Sequence, residues 1–249
     1  MTLSFFFGLL GNVTTGLVYL APVKTFWHIV KRRSTEEFES IPYVFKLLNA
    51  YFWTYYGIVK PNSVVVATVN GFGVVLEITF VAIFLLYAPP RMRMRTAILA
   101  ITCDVMFPAA AILATQLTLD QQMQITVAGL LSAVFSMVAY GSPLSAMKTV
   151  VTTKSVEYMP FLLSFILFVN GGVWTVYAIL THDYFIGIPN GTGFGLGAAQ
   201  LILYAMYYKP KTKSSPSSSS MAEDKGWQPC EPLIDPTPIP QVVVAQEKD

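Results

Sequence analysis

Charge is what this 249-residue chain has least of. Asp, Glu, Lys and Arg together make up 12% of it, about half the share of an ordinary soluble domain. The formal net charge is only +2, which excludes the basic surface that a nucleic-acid partner requires. Histidine and cysteine number two each. Cys103 and Cys230 are too few for a disulfide framework. No His-rich or Cys-rich cluster exists, and His28 and His182 lie far apart in the chain. No metal, cofactor or catalytic centre is therefore expected, and the chain is not read as an enzyme. The N-terminus lacks the basic stretch of a cleavable signal, and its first apolar run is long enough to be a retained helix.

Apolar sequence is what remains, at 54% of the chain. It is gathered into seven runs, near 5–26, 41–59, 64–88, 96–116, 124–147, 160–180 and 185–208. About 20 apolar residues cross a bilayer as a helix. A soluble all-α protein would need a polar face on such helices, and almost none is left over. The fold class predicted is an all-α integral membrane protein of seven transmembrane helices.

Charge alternates between the connections. Lys31, Arg32 and Arg33 lie in the first, Arg91, Arg93 and Arg95 in the third, and Lys154 in the fifth. The second holds only Lys60, and the fourth and sixth hold no Lys or Arg. The positive-inside rule puts connections one, three and five and the C-terminus in the cytosol, and the N-terminus on the other side. Beyond about Lys211 the chain turns Ser-rich, then acidic and Pro-rich. Such sequence cannot bury a core, so 209–249 is expected to be a disordered cytosolic tail.

The chain also repeats itself. An offset of 121 positions links Tyr19 to Tyr140, Pro22 to Pro143, Ser34 to Ser155, Asn49 to Asn170, Trp53 to Trp174 and Tyr56 to Tyr177. Asn70 pairs with Asn190 at 120, whereas Pro42 and Pro160 differ by 118. The predicted organisation is a three-helix repeat over 5–88, a linker helix over 96–116 and a second three-helix repeat over 124–208. The odd linker returns the chain, so the two triplets run parallel about an axis along the membrane normal.

Several polar residues sit inside these apolar runs. A buried amide in a membrane helix is costly unless hydrogen-bonded, and it offers donors and an acceptor at once. Asn70 and Asn190, one from each repeat, could grip one hydroxyl-rich solute between them; the alternative is helix-to-helix glue. Trp53 and Trp174 offer flat walls for an apolar face of such a solute, against the alternative of interfacial anchors. Asn49 and Asn170 lie one turn earlier on the same faces and read as added polar lining. Pro22 and Pro143 are expected to kink their helices, while Pro42 and Pro160 read equally as hinges or as ordinary helix starts. Glu77, two turns from Asn70 on one face, is a proton-relay candidate with Asp104 as a second; a structural hydrogen bond is the alternative. Lys46 is expected to snorkel to the cytosolic boundary. The glycosylation triplets at Asn12 and Asn190 fall inside spans and are discounted.

Taken together, Gly11-Asn12, Ala21-Pro22-Val23, Lys31-Arg32-Arg33-Ser34, Ile41-Pro42-Tyr43, Asn70-Gly71-Phe72-Gly73, Tyr140-Gly141-Ser142-Pro143, Lys154-Ser155-Val156-Glu157-Tyr158-Met159-Pro160 and Pro189-Asn190-Gly191 resemble the plant SWEET sugar transporters over about 5–208. Neither half carries the Pro-Gln dipeptide of other PQ-loop proteins: Val23 follows Pro22 and Leu144 follows Pro143. The resemblance implies sugar contacts at Asn70 and Asn190, stacking at Trp174, and gating by Pro22, Pro42, Pro143 and Pro160. It implies an outer gate at Tyr56, Tyr177 and Asp183. A tryptophan at position 53 would narrow the pocket toward monosaccharides. The segments beginning at Lys31, Trp53 and Met147 look most like the vacuolar-membrane subgroup, associated with fructose and glucose, with the plasma membrane as the alternative.

The expected function is facilitative, bidirectional sugar transport by alternating access. A proton-coupled carrier using Glu77 and, more remotely, a seven-helix receptor are the rivals. The expected partners are a mono- or disaccharide, the lipid bilayer and further protomers in a homo- or hetero-oligomer, with no nucleic acid.

Overall fold

The computed structural model describes residues 3–36, 38–157 and 159–208, apart from the side chain of Ser142. The predicted tail at 209–249 lies outside the described residues. Every regular element among the described residues is helical: α1 (Leu3–Leu20), α2 (Val23–Arg32), α3 (Ile41–Val59), α4 (Val64–Tyr87), α5 (Pro90–Ala100), a π-helical segment (Ile101–Met106), α6 (Phe107–Thr118), α7 (Gln121–Ala139), α8 (Gly141–Thr153), α9 (Phe161–Thr181) and α10 (Tyr184–Tyr207).

These elements make seven rods. The first is α1 with α2 and the fifth α7 with α8; the fourth combines α5, the π segment and α6. Five rods are long and apolar enough to cross a membrane by length and composition alone: Leu3–Arg32, Val64–Tyr87, Pro90–Thr118, Gln121–Thr153 and Phe161–Thr181. The other two, α3 and α10, carry Lys46 and Asn49, or Asn190 and a series of glycines, which lower their hydropathy. The first, fourth and fifth rods run past the expected apolar limits. Arg32, Arg91 and Lys148 stay helical beyond the part that lipid dictates.

Prolines set the breaks. Pro22 stands between α1 and α2, and Pro143 in the first turn of α8 follows the break at Tyr140. Lacking an N–H, each frees a carbonyl one turn earlier and bends its rod. Pro42 is in the first turn of α3, and Pro160 directly precedes α9. These two start helices, where a missing N–H costs nothing. Pro108 lacks the N–H that would bond the carbonyl of Asp104, and the π segment surrounds that residue.

The repeat extends to the connections. Arg33 and Lys154, 121 apart, both end their helices in the left-handed region, at φ 53° and 55°. The Ser34 and Ser155 hydroxyls then accept from the backbone N–H of Glu36 and Glu157 at 3.1 and 3.3 Å.

Inside each triplet the third rod lies between the other two: α4 packs on α1 and α3, and α10 packs on α9 and α7. The triplets meet where α1 packs on α9 and α3 on α7, which closes six rods into a ring. The fourth rod lies outside it, against α3 and α4, and α6 also packs on α7. α2 packs on α4, and α8 on α10, each within its own triplet.

Candidate functional site

The ring encloses a polar layer built twice. On one side, Ser136 of α7 reaches α3: its Oγ accepts from Asn49 Nδ2 at 3.1 Å and from Trp53 Nε1 at 2.9 Å. On the other, Thr15 of α1 reaches α9. Its Oγ1 accepts from Trp174 Nε1 at 2.7 Å and donates to Asn170 Oδ1 at 2.8 Å, where Thr14 also donates at 2.8 Å. Each tryptophan and asparagine is thus held by a hydroxyl of the opposite triplet. Ser136 and Thr15 are themselves 121 apart; a comparison of identical residues missed them because one is serine and the other threonine.

The two sides differ in polarity. Ser136 accepts twice, and among the described residues its own hydrogen and Asn49 Oδ1 have no partner. Asn170 Nδ2 likewise has no partner among the described residues. Donors and acceptors are left side by side, as a solute hydroxyl requires, since it both donates and accepts. Asn49 and Asn170 are half-buried, whereas the two indoles are buried.

Asn70 and Asn190 sit on the third rod of each triplet. Asn70 Nδ2 donates to the Val66 carbonyl and Asn190 Nδ2 to the Ile186 carbonyl, both at 2.9 Å and one turn back. Asn70 is buried; its Oδ1 accepts from the Tyr19 hydroxyl at 3.0 Å. Asn190 is half-buried, and its Oδ1 has no partner among the described residues. Asn70 thus joins α4 to α1 within its own triplet, and among the described residues neither asparagine bonds across to the other triplet.

Toward connections two, four and six the ring is shut. Trp53 stands edge-on to Tyr56 at 5.6 Å, and Trp174 edge-on to Tyr177 at 5.3 Å. Beyond them the Tyr56 hydroxyl meets both carboxylate oxygens of Asp183 at 2.9 Å. Lys60 donates to Tyr56 Oη at 3.0 Å and forms an ion pair with Asp183. Asp183 also caps α10, accepting from the Ile186 N–H at 3.1 Å. A depression of about 670 Å³ lies outside this closure, lined by Lys60, Gln121, His182 and Phe185 among others. The resemblance implies a gate at Tyr56, Tyr177 and Asp183; Lys60, in sequence only the lone charge of the second connection, bonds two of these three.

Glu77 is fully buried, with Lys46 Nζ 3.0 Å from its Oε1. The expected snorkelling of Lys46 is therefore corrected: the ammonium turns into the bundle because an uncompensated buried carboxylate is far costlier than a paired one. It also donates to the Val18 carbonyl at 3.5 Å, the group freed by Pro22. Asp104 is buried too, and neither of its oxygens has a hydrogen-bond partner among the described residues. No group of three or more metal-ligating side chains occurs among the described residues.

A sequence family described as "Sugar efflux transporter for intercellular exchange" matches residues 5–92 and 126–212. The bidirectional sugar transporter SWEET17 of Arabidopsis thaliana is 52% identical over 89% of this chain and 93% of its own. SWEET16 of the same plant, also named a bidirectional sugar transporter, is 46% identical over 93% of this chain and 98% of its own. Among solved structures, a eukaryotic SWEET transporter at 3.7 Å resolution superposes with a TM-score of 0.79 at 38% identity, covering 82% of this chain and 96% of that one. With both repeats matched and these relatives covered almost end to end, the chain belongs to the SWEET family of sugar transporters.

Proposed function

We infer that this membrane protein carries sugars down their own gradient, in either direction, by alternating access. The observation that carries the reading is the doubled polar layer, in which Ser136 and Thr15 each hold the other triplet's tryptophan and asparagine. Asn70, Asn190, Asn49 and Asn170 supply hydrogen bonds to solute hydroxyls, and Trp53 and Trp174 wall the ring. The triplets 5–88 and 124–208 are the two bodies that rock, and the rod around 96–116 joins them. Tyr56, Lys60, Tyr177 and Asp183 form one gate. Pro22 and Pro143 bend the rods at the other, and Pro42 and Pro160 set helix starts there. A solute that binds both end states equally drives no net work, so flux follows concentration alone.

The finer reading is a hexose carrier of the vacuolar membrane, because a tryptophan at position 53 narrows the ring toward monosaccharides and three segments resemble that subgroup. The Lys- and Arg-rich connections orient the C-terminus to the cytosol, and protomers assemble into oligomers. Asn190→Ala in proteoliposomes is the test. Tracer fructose and glucose flux should fall to background while the purified variant keeps its melting temperature; normal flux would overturn the site.

A further inference from the structure

The carboxamide of Asn70 has a fixed orientation. A backbone carbonyl only accepts, so the atom facing the Val66 oxygen is Nδ2, and Oδ1 must face the Tyr19 hydroxyl, which donates to it. Tyr19 is itself held on two sides. A Cβ at Gly73 would run into its ring, so glycine there lets the ring come close to α4. The Lys46 ammonium stands 5.1 Å from the ring centroid, and Glu77 and the Val18 carbonyl hold that ammonium in turn.

The second triplet has the same tyrosine in a different bond. The Tyr140 hydroxyl donates to the Pro189 backbone carbonyl. The position matching Lys46 is Leu167, and Gly197 and Ala198 stand where Glu77 would fall. No ion pair braces Tyr140, and Asn190 keeps its oxygen unbonded among the described residues.

We propose that Tyr19, braced by the Lys46–Glu77 pair, makes the two asparagine half-sites chemically unequal. Asn70 meets a sugar hydroxyl chiefly as a donor, through its second N–H, while Asn190 both donates and accepts. Tyr19 is thus a positioning residue that acts through Asn70 and sets which ring hydroxyl must donate. The proposal rests on the reading of Asn70 and Asn190 as solute contacts.

Fluorine tests this directly, since it accepts weakly and never donates. Full-length protein in proteoliposomes would import labelled hexose against each monodeoxy and each monodeoxy-monofluoro hexose. In the wild type, one ring position should tolerate fluorine but not hydrogen. In Tyr19→Phe the freed Asn70 oxygen becomes an acceptor, and the penalty for fluorine at that position should rise roughly fivefold, the worth of one neutral hydrogen bond. Tyr140→Phe should leave the profile as it is. Lys46→Met combined with Glu77→Gln, which keeps the hydroxyl but removes its brace, should shift the profile the same way by less. It serves equally if Tyr19→Phe does not fold. An unchanged fluorine profile in these variants overturns the proposal. Asn70→Ala separates the two levels: if it transports normally, both readings fall. If it is inactive while Tyr19→Phe keeps the wild-type profile, only the inequality falls.

Discussion

The Tyr56 hydroxyl lies 2.9 Å from both carboxylate oxygens of Asp183, joining α3 of one triplet to the start of α10 in the other. Lys60 closes the same three-way contact. A hydrogen bond to a charged group contributes about 1.5–3 kcal/mol, so this contact can hold one face of the bundle shut by itself. Ala128 lies fully buried beneath it, in one apolar cluster with Tyr56 and Tyr177.

Breaking that contact should expose what it covers. In a background with both native cysteines replaced, Cys103→Ser and Cys230→Ser, Ala128→Cys should react slowly with an impermeant thiol reagent. Adding Asp183→Asn should raise the rate by about tenfold or more, in line with the loss of one charge-assisted bond. A rate that does not change would mean that the face is closed by apolar packing alone.

The tryptophan–hydroxyl bonds across the triplets should show up as coupling. Trp53→Phe and Ser136→Ala remove opposite ends of one bond, so the double variant should be less damaged than the two losses added together. The expected interaction is about 0.5–3 kcal/mol, read from melting in detergent and from KM for hexose. The same holds for Trp174→Phe with Thr15→Val.

Glycine substitutions should separate into two kinds. A Cβ at Gly73 meets the Tyr19 ring, and one at Gly193 meets the Tyr140 hydroxyl, whereas Gly71 and Gly195 face open space. Gly73→Ala should destabilise by about 1–3 kcal/mol through overpacking. Gly71→Ala and Gly195→Ala should be neutral or gain up to about 1 kcal/mol of helix propensity, unless lipid or a further protomer fills that space. Melting temperatures in one detergent suffice.

The Lys46–Glu77 pair decides between two uses of a buried acid. Lys46→Met strands a carboxylate in the bundle and should cost about 3–5 kcal/mol, much of it recovered by adding Glu77→Gln. If Glu77 serves only to brace, hexose counterflow in the wild type will not respond to an imposed pH gradient. A gradient-driven accumulation that Glu77→Gln abolishes would instead make the protein a symporter.

The rods were legible in the sequence because lipid imposes a length on each apolar run, and the doubling was legible because rare residues recur at one offset. Polar contacts across the bundle were much less so. Hydropathy says that Lys46 lies in a span but not how α3 is rotated, so its turn toward Glu77 could not be foreseen. Tyr19 and Tyr140 align at the repeat offset and yet donate to different groups; the difference lies with Lys46 and Glu77, which have no mates in the second triplet. Pro42 and Pro160 were ambiguous for a physical reason as well: the same ring that bends a helix also begins one.

The parallel arrangement of the triplets has a thermodynamic consequence. Its axis exchanges one triplet for the other but never one membrane face for the other. Transporters with inverted repeats can approach two end states of equal energy through symmetry; here nothing enforces that degeneracy. One face is tied by Lys60, Tyr56 and Asp183 and the other is shaped by bent rods, so the resting occupancy of the two orientations is set by individual side chains. A change of 1.4 kcal/mol at one of them moves that occupancy about tenfold, and the idle protein can be biased toward one compartment without altering the equilibrium it serves.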